Sequence, residues 1–205
     1  MPKGCPNSEK FLPLCGKQII METPQKPLIP RYTNYEDLLC YKKTRLIYDL
    51  TYHFCTRFID KHDRTFDQMI QAARSGKQNI VEGCIDMATS TASGLMLINV
   101  ARGSLRELKE DFYDYIRVHG AEPWQKSSVE YKTAQKIGRE RLNSNYYIEL
   151  TNSRSDTATA NIIIVLIEQT DYLIYRLIES LAEKFKCEGG FKECMYSART
   201  KSRGY

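Results

Sequence analysis

Apolar residues recur at intervals of three and four in four separate stretches, the period of a helix with one buried face. The first stripe is Leu39, Leu46, Leu50, Phe54 and Phe58. Thr33 stands three residues before Glu36, the spacing of a reciprocal capping box, which predicts a helix beginning there and running to about Ile59. The second stripe is Phe66, Met69, Ile70, Ala73, Ile80, Cys84 and Met87, with Asp63 or a residue beside it as N-cap. "TSTASG" at 89–94 reads as a break or a weak helical start. A third stripe then runs through Ile98, Ala101, Leu105, Leu108, Phe112 and Tyr115, until Gly120 and Pro123 stop it. The fourth starts at Ser155 or Asp156, passes through "IIIVLI" at 162–167 and through Leu173, Ile174, Leu177, Leu181 and Phe185, and ends at "EGGF".

Joined by short turns, long helices of this kind favour antiparallel neighbours. The expected fold is all-α, an antiparallel up-down four-helix bundle over residues 35–185. Residues 121–154 form an insertion between the third and fourth bundle helices, with one shorter helix over about 125–142 and Trp124, Tyr131 and Leu142 as anchors. Residues 1–34 read as an extended arm, because six of the seven prolines lie there without sustained periodicity, and residues 186–205 as a basic suffix with Lys192, Arg199, Lys201 and Arg203. The all-round apolar start of the fourth helix exceeds what one bundle face needs. It calls for a subunit interface or for contact with the inserted helix.

Composition narrows this little: 205 residues with 42% hydrophobic and 27% charged are ordinary for one globular domain. Seven cysteines, an odd number without a CxxC pair, argue against a disulfide framework and fit a reducing cytoplasm. Pro13, Gly16 and Lys17 interrupt the only apolar cluster near the N-terminus, so no secretory signal is expected. The longest aliphatic run is too short to span a bilayer, and no membrane partner is expected. The net charge of +5 is mild, and its surplus lies in 1–34 and 121–154, outside the predicted bundle helices.

Enzyme signatures are missing from the chain. There is no GxxxxGK[ST], no GxGxxG and no GxSxG. Di-metal bundles need Glu-x-x-His pairs, and none of His53, His62 or His119 has a glutamate three residues before it. His53 reads as a satisfied core histidine, His62 as a loop residue, His119 as a helix-end residue and Cys84 as an inert core thiol. No catalytic residue, cofactor or metal is assigned.

Ser75, Asn79 and Glu82 share one side of the second predicted helix, as Ser104 and Glu107 do on the third. They predict a hydrogen-bonded polar layer that fixes helix register, with Gly83 and Gly103 permitting close backbone approach. The rival reading, a carboxylate site at Glu82 and Glu107, lacks a histidine, nucleophile or metal-spaced companion.

"DQMIQAARSGKQNIVEG" at 67–83, followed by "NVARGSLREL" at 99–108, resembles the four-helix-bundle proteins related to those encoded in intervening sequences of bacterial 23S rRNA. The shared elements are Asp67-Gln68, Ala72-Ala73, Ser75, Asn79-Ile80, Glu82-Gly83, Gly103-Ser104-Leu105 and Glu107-Leu108. The resemblance covers roughly residues 36–185, and "EGGF" with "ARTKSR" looks like the version with a C-terminal suffix. It implies a left-handed antiparallel bundle and a ring-shaped homo-oligomer, notably a pentamer. A similar bundle, the accessory variability protein of diversity-generating retroelements, associates with reverse transcriptase and nucleic acid. Many relatives carry basic residues after the Asp-Gln start. This chain has Ile70 and Gln71 there, with Arg74 and Lys77 one turn later, and its long insertion is atypical of the short members.

Arg102, Arg106, Lys109 and Arg117 fall nearly on one face of the third predicted helix, with Tyr113 interleaved, and Lys132, Lys136 and Arg139 form a second stripe in the insertion. Basic stripes can track phosphates and an aromatic can stack on an unpaired base. In a ring each stripe is repeated by symmetry. The expected function is therefore a non-enzymatic, homo-oligomeric bundle that binds RNA or DNA electrostatically, as an accessory to a ribonucleoprotein or nucleic-acid enzyme. The alternative is a protein-interaction scaffold in which "IIIVLI" and the suffix recruit a partner protein and the basic stripes are solvated surface.

Overall fold

The computed structural model describes residues 34–188 together with 195, 196, 199 and 200. All but Asn34 of the expected arm at 1–34 and most of the suffix, including Lys192, Lys201 and Arg203, lie outside the described residues, as does Thr33 of the expected capping box. Among the described residues up to 188, a 3-10 turn at Tyr35–Asp37 precedes six helices: α1 Leu39–Phe58, α2 Arg64–Asp86, α3 Thr91–Val118, α4 Val129–Glu140, α5 Ser144–Asn152 and α6 Asp156–Glu188. The described residues form an all-helical bundle.

Short polar side chains set most helix starts by accepting from amides that have no intrahelical partner. Asp63 accepts from the Thr65 amide at 2.8 Å, Ser90 from Ser93 at 3.3 Å, Ser128 from Tyr131 at 3.1 Å and Ser155 from Ala158 at 3.2 Å. The first helix begins later than expected. Asn34 accepts from the Glu36 amide and closes the 3-10 turn, and Leu38 is extended before α1 starts. The insertion holds two helices where one was expected, because Asn143 accepts from both the Asn145 and Tyr146 amides and starts α5. α3 ends as expected near Gly120, which adopts a positive φ of 71°.

α1 packs on α2 and α6, and α3 packs on α2 and α6, so these four helices close around one core. Leu46, Leu50 and Phe54 of α1, Met69 and Ile80 of α2, and Ile98, Leu105, Leu108 and Phe112 of α3 are fully buried there. Phe54 meets Phe112 and Tyr115 edge-on at 5.1 and 4.9 Å, tying α1 to α3. The whole run Ile162–Ile167 is buried within the single chain. α4 covers α6 on the side that the bundle helices leave, so contact with the inserted helix accounts for the run, and "IIIVLI" offers no recruiting surface.

The backbones of α2 and α3 come into contact where glycine faces glycine. A Cβ at Gly83 would stand 2.8 Å from the Gly94 carbonyl, and one at Gly94 would stand 2.6 Å from the Gly83 carbonyl. The close approach expected at Gly83 is present, but Gly103 is exposed and a Cβ there meets nothing within 4 Å. The glycine that faces Gly83 in the seam is Gly94 instead. Gly103→Ala should therefore stabilise the protein by about 0.5–1 kcal/mol through helix propensity alone, read as a higher midpoint in urea with an unchanged slope. A lower midpoint would mean that Gly103 has a neighbour in the folded protein.

Cys40, Cys55 and Cys84 are buried free thiols. Burial pushes Cys40 up to about 11, Cys55 up to about 12 and Cys84 upward as well. Thiolate chemistry at these positions is suppressed.

Candidate nucleic-acid interface

The polar layer exists in reduced form. Ser75 of α2 and Ser104 of α3 share a hydrogen bond of 2.9 Å, and the Asn79 amide donates to the Ser75 carbonyl and hydroxyl at 2.9 and 3.0 Å. Glu82 and Glu107 are exposed and stand outside it. The layer runs along the flank of the α2–α3 seam, where a serine or asparagine side chain stays inside and a longer glutamate reaches water and keeps its hydration.

The basic stripe on α3 is divided by its partners. Arg102 donates to both oxygens of Asp171 on α6 at 2.6 and 3.1 Å, and Arg106 donates to the same two oxygens at 3.0 and 3.2 Å. Arg102 is committed to this pair, its side chain only 21% exposed, whereas Arg106 keeps 55% of its surface in solvent. At the far end Arg117 pairs with Asp114 at 2.6 Å. Lys109 lies over the Tyr113 ring at 5.4 Å, and on α2 Lys77 lies over the Tyr48 ring at 4.5 Å while Arg74 is exposed. Lys132, Lys136 and Arg139 are exposed along α4, opposite its buried face of Tyr131, Ala134 and Gly138. The nine residues therefore do not form one surface.

A different arrangement brings part of them together. A groove of about 870 Å³ runs between α3, α4 and α6, with the start of α1 at one side. Arg106 and Lys109 reach it from α3, Lys126 from the connector and Arg139 from α4, and Lys43 of α1 also lines it. Its acidic members are Glu110, Glu168 and Asp171. Two of them are engaged by the protein itself: Asp171 holds the two arginines, and Glu168 accepts from the Tyr131 hydroxyl at 2.6 Å and the Tyr113 hydroxyl at 3.5 Å. Burial and the Glu168 carboxylate push the Tyr131 phenol well up, so it stays a donor. Tyr172, 61% exposed, stands on the α6 wall.

Sequence reasoning does not find Lys43 or Lys126. Lys43 carries a signal, since it falls on the buried face of α1 with Cys40, Ile47 and Leu50, where a lysine breaks the apolar pattern. Lys126 carries none, because a single connector lysine acquires neighbours only through the fold.

Asp171 also links α3 to α6. Burial alone pushes its carboxyl up, but the hydrogen bonds and charges of Arg102 and Arg106 outweigh this and hold it below its ordinary value. Such a group contributes stability above the unfolded pKa near ~3.9, and that contribution is lost as pH falls through the folded value. Asp171→Asn should cost about 1–2 kcal/mol at neutral pH. Thermal unfolding of both proteins at pH 7 and in strong acid checks this: the difference should close in acid, and a gap that persists there would show that the charge is not its source.

A second pocket of about 510 Å³ includes His53, Asp49 and Ser144. Contrary to expectation, the His53 Nε2 is buried without a hydrogen-bond partner among the described residues. Burial, then the charge of Arg57, pushes this imidazole down, while the nearby Asn152 side chain acts against them. Asp49 accepts from the Ser144 hydroxyl at 2.5 Å. His62 lies in the turn before α2, and His119 caps α3, stacked on Tyr115 at 4.0 Å. Among the described residues no group of three or more His, Cys, Asp or Glu is placed to hold a metal ion, and no helix is long and apolar enough to cross a membrane.

Fold and groove together define a helical-bundle protein with a basic, aromatic-edged cleft. Comparison with protein-family models, curated proteins and solved structures finds no match for the chain.

Proposed function

We propose that this protein is a non-enzymatic helical bundle that binds single-stranded or structured nucleic acid in the α3–α4–α6 groove. The observation that carries the reading is the convergence of Arg106, Lys109, Lys126 and Arg139, from three separate segments, beside the exposed ring of Tyr172. Phosphates along a strand need several cations at the edge of a cleft, and an exposed aromatic gives a base a face to stack on. The groove is built by the insertion as much as by the bundle, and that long insertion is atypical of the short members of the family the chain resembles. Membership of that family, and a role as accessory to a ribonucleoprotein or nucleic-acid enzyme, belong to the same proposal. So does homo-oligomerisation, a pentamer included, for which Ile85, Met96 and Val100 leave apolar side chains exposed on α2 and α3.

The test is binding of full-length protein to labelled single-stranded RNA, single-stranded DNA and duplex DNA, with the oligomer mass measured in the same buffer. Single strands should bind more tightly than the duplex. No binding of any of them at low salt by an intact protein would overturn the reading and leave a protein-interaction scaffold.

A further inference from the structure

Lys43 is a buried amine with an unusual set of partners. The residue is 3% exposed, and its Nζ donates to the Gly138 carbonyl at 2.5 Å and to Gln169 Oε1 at 2.6 Å. Both acceptors are neutral. The Gln169 orientation is fixed from its other end, where Nε2 donates to the Gln135 carbonyl at 2.7 Å. Among the described residues Lys43 has no carboxylate within ion-pair distance, although buried cations are ordinarily paired. The charge that acts on it is of like sign: burial, and then Arg139, push the amine down to about 8.

Part of this arrangement is structural. Gly138 lies in the last turn of α4, where carbonyls lack an intrahelical amide, and the amine caps that turn. Capping uses one N–H and Gln169 a second, so an ammonium retains a third. Lys43 lines the groove, and of the groove's carboxylates Asp171 and Glu168 are already held by arginines and tyrosines. A buried ammonium beside a guanidinium, with those two carboxylates engaged elsewhere, is complementary to an anion of high charge density.

We propose that the groove is a phosphomonoester site, in which the terminal phosphate of a nucleic-acid strand or of a free nucleotide accepts from Lys43 and Arg139. A monoester phosphate is close to dianionic at neutral pH and presents three terminal oxygens. A diester inside a chain carries only one charge, so the strand end is the part that presents the greater charge to Lys43 and Arg139. The groove volume of about 870 Å³ falls within the range of small-molecule sites. Leu39 and Tyr172, both exposed, stand on its walls where a base or sugar would lie. The strand-end form of this proposal rests on the nucleic-acid reading; the free-nucleotide form does not.

The experiment titrates full-length protein with adenosine 5′-monophosphate and with adenosine, and separately with one single strand carrying either a 5′-phosphate or a 5′-hydroxyl. Each phosphorylated probe should bind about tenfold more tightly than its partner, the gain of one charge-assisted contact. Gln169→Glu gives Lys43 an internal carboxylate and keeps it charged, so it should erase both preferences; because it also removes the Nε2 donor to the Gln135 carbonyl, helicity is read by circular dichroism beside binding. Lys43→Met should do the same wherever it folds. Equal binding of phosphorylated and unphosphorylated probes in both arms would overturn the site while leaving strand binding intact. If the nucleotide shows the preference and neither strand binds, the phosphomonoester site stands for a free nucleotide and the nucleic-acid reading falls. If no probe binds, both fall.

Discussion

Gly94→Val is expected to destabilise the protein by about 3 kcal/mol or more, lowering the unfolding temperature by roughly 6–12 °C. A Cβ at this position would stand 2.4 Å from Met87 Cγ, 2.6 Å from the Gly83 carbonyl oxygen and 3.0 Å from the Met87 amide nitrogen. The methionine can swing away, but the two backbone atoms cannot move without separating α2 from α3. That seam also holds Ile98, which is fully buried and stands 2.8 Å from a Cβ built at Gly83. Separation would loosen apolar packing along much of both helices, so the loss should exceed that of an ordinary overpacked site. Calorimetry of Gly94→Val beside Gly103→Ala gives opposite signs on this account. Similar small effects for both would mean that the α2–α3 distance is not set by glycine contact.

The combined reversal Lys109→Glu, Lys126→Glu and Arg139→Glu should weaken single-strand binding by more than about 100-fold at low salt, because each change removes a favourable charge and adds a repulsive one. Arg106 is left in place because its guanidinium helps hold Asp171. Circular dichroism should show unchanged helicity, since none of the three side chains belongs to the buried apolar core. The control is reversal of Lys132, Lys136 and Arg117, which carry the same formal charge but stand on outward faces or pair with Asp114. The control should lose only a few-fold. Equal losses in both triple variants would indicate diffuse attraction to the whole basic surface and not a groove.

The helices were legible because apolar stripes and caps are local. Asp63 and Ser155 stand where the periodicity begins, and Gly120 stands where it ends. α5 was missed because its nine residues bury only Tyr147 and Thr151, too few to show a period, and because Asn143, Ser144 and Asn145 at one end and Thr151, Asn152 and Ser153 at the other read as loop. The surplus of apolar residues at 162–167 was visible, but which of two partners covered it depended on where α4 docks.

The site was less legible for a reason of the same kind. Helical phase placed Arg102, Arg106, Lys109 and Arg117 on one face, yet phase says nothing of what the next helix brings. Asp171, sixty-odd residues later, takes two of these arginines. The groove draws one lysine from α1, one from a connector and one arginine from α4, and no window of sequence contains them together. Glu82 and Glu107 show the converse limit. They share a helix side with Ser75 and Ser104, but the length of a glutamate carries it past the seam into water.

The most direct test of the groove is the salt dependence of single-strand affinity for the wild-type protein and for the Lys109, Lys126 and Arg139 reversal. Each phosphate neutralised contributes about 0.7 to the slope of log affinity against log salt for a single strand. Loss of three contacts should therefore flatten the slope by about 2 per protomer. The account predicts steep salt dependence in the wild type and this flattening in the variant. No wild-type binding at low salt, or an unchanged slope in the variant, would contradict it.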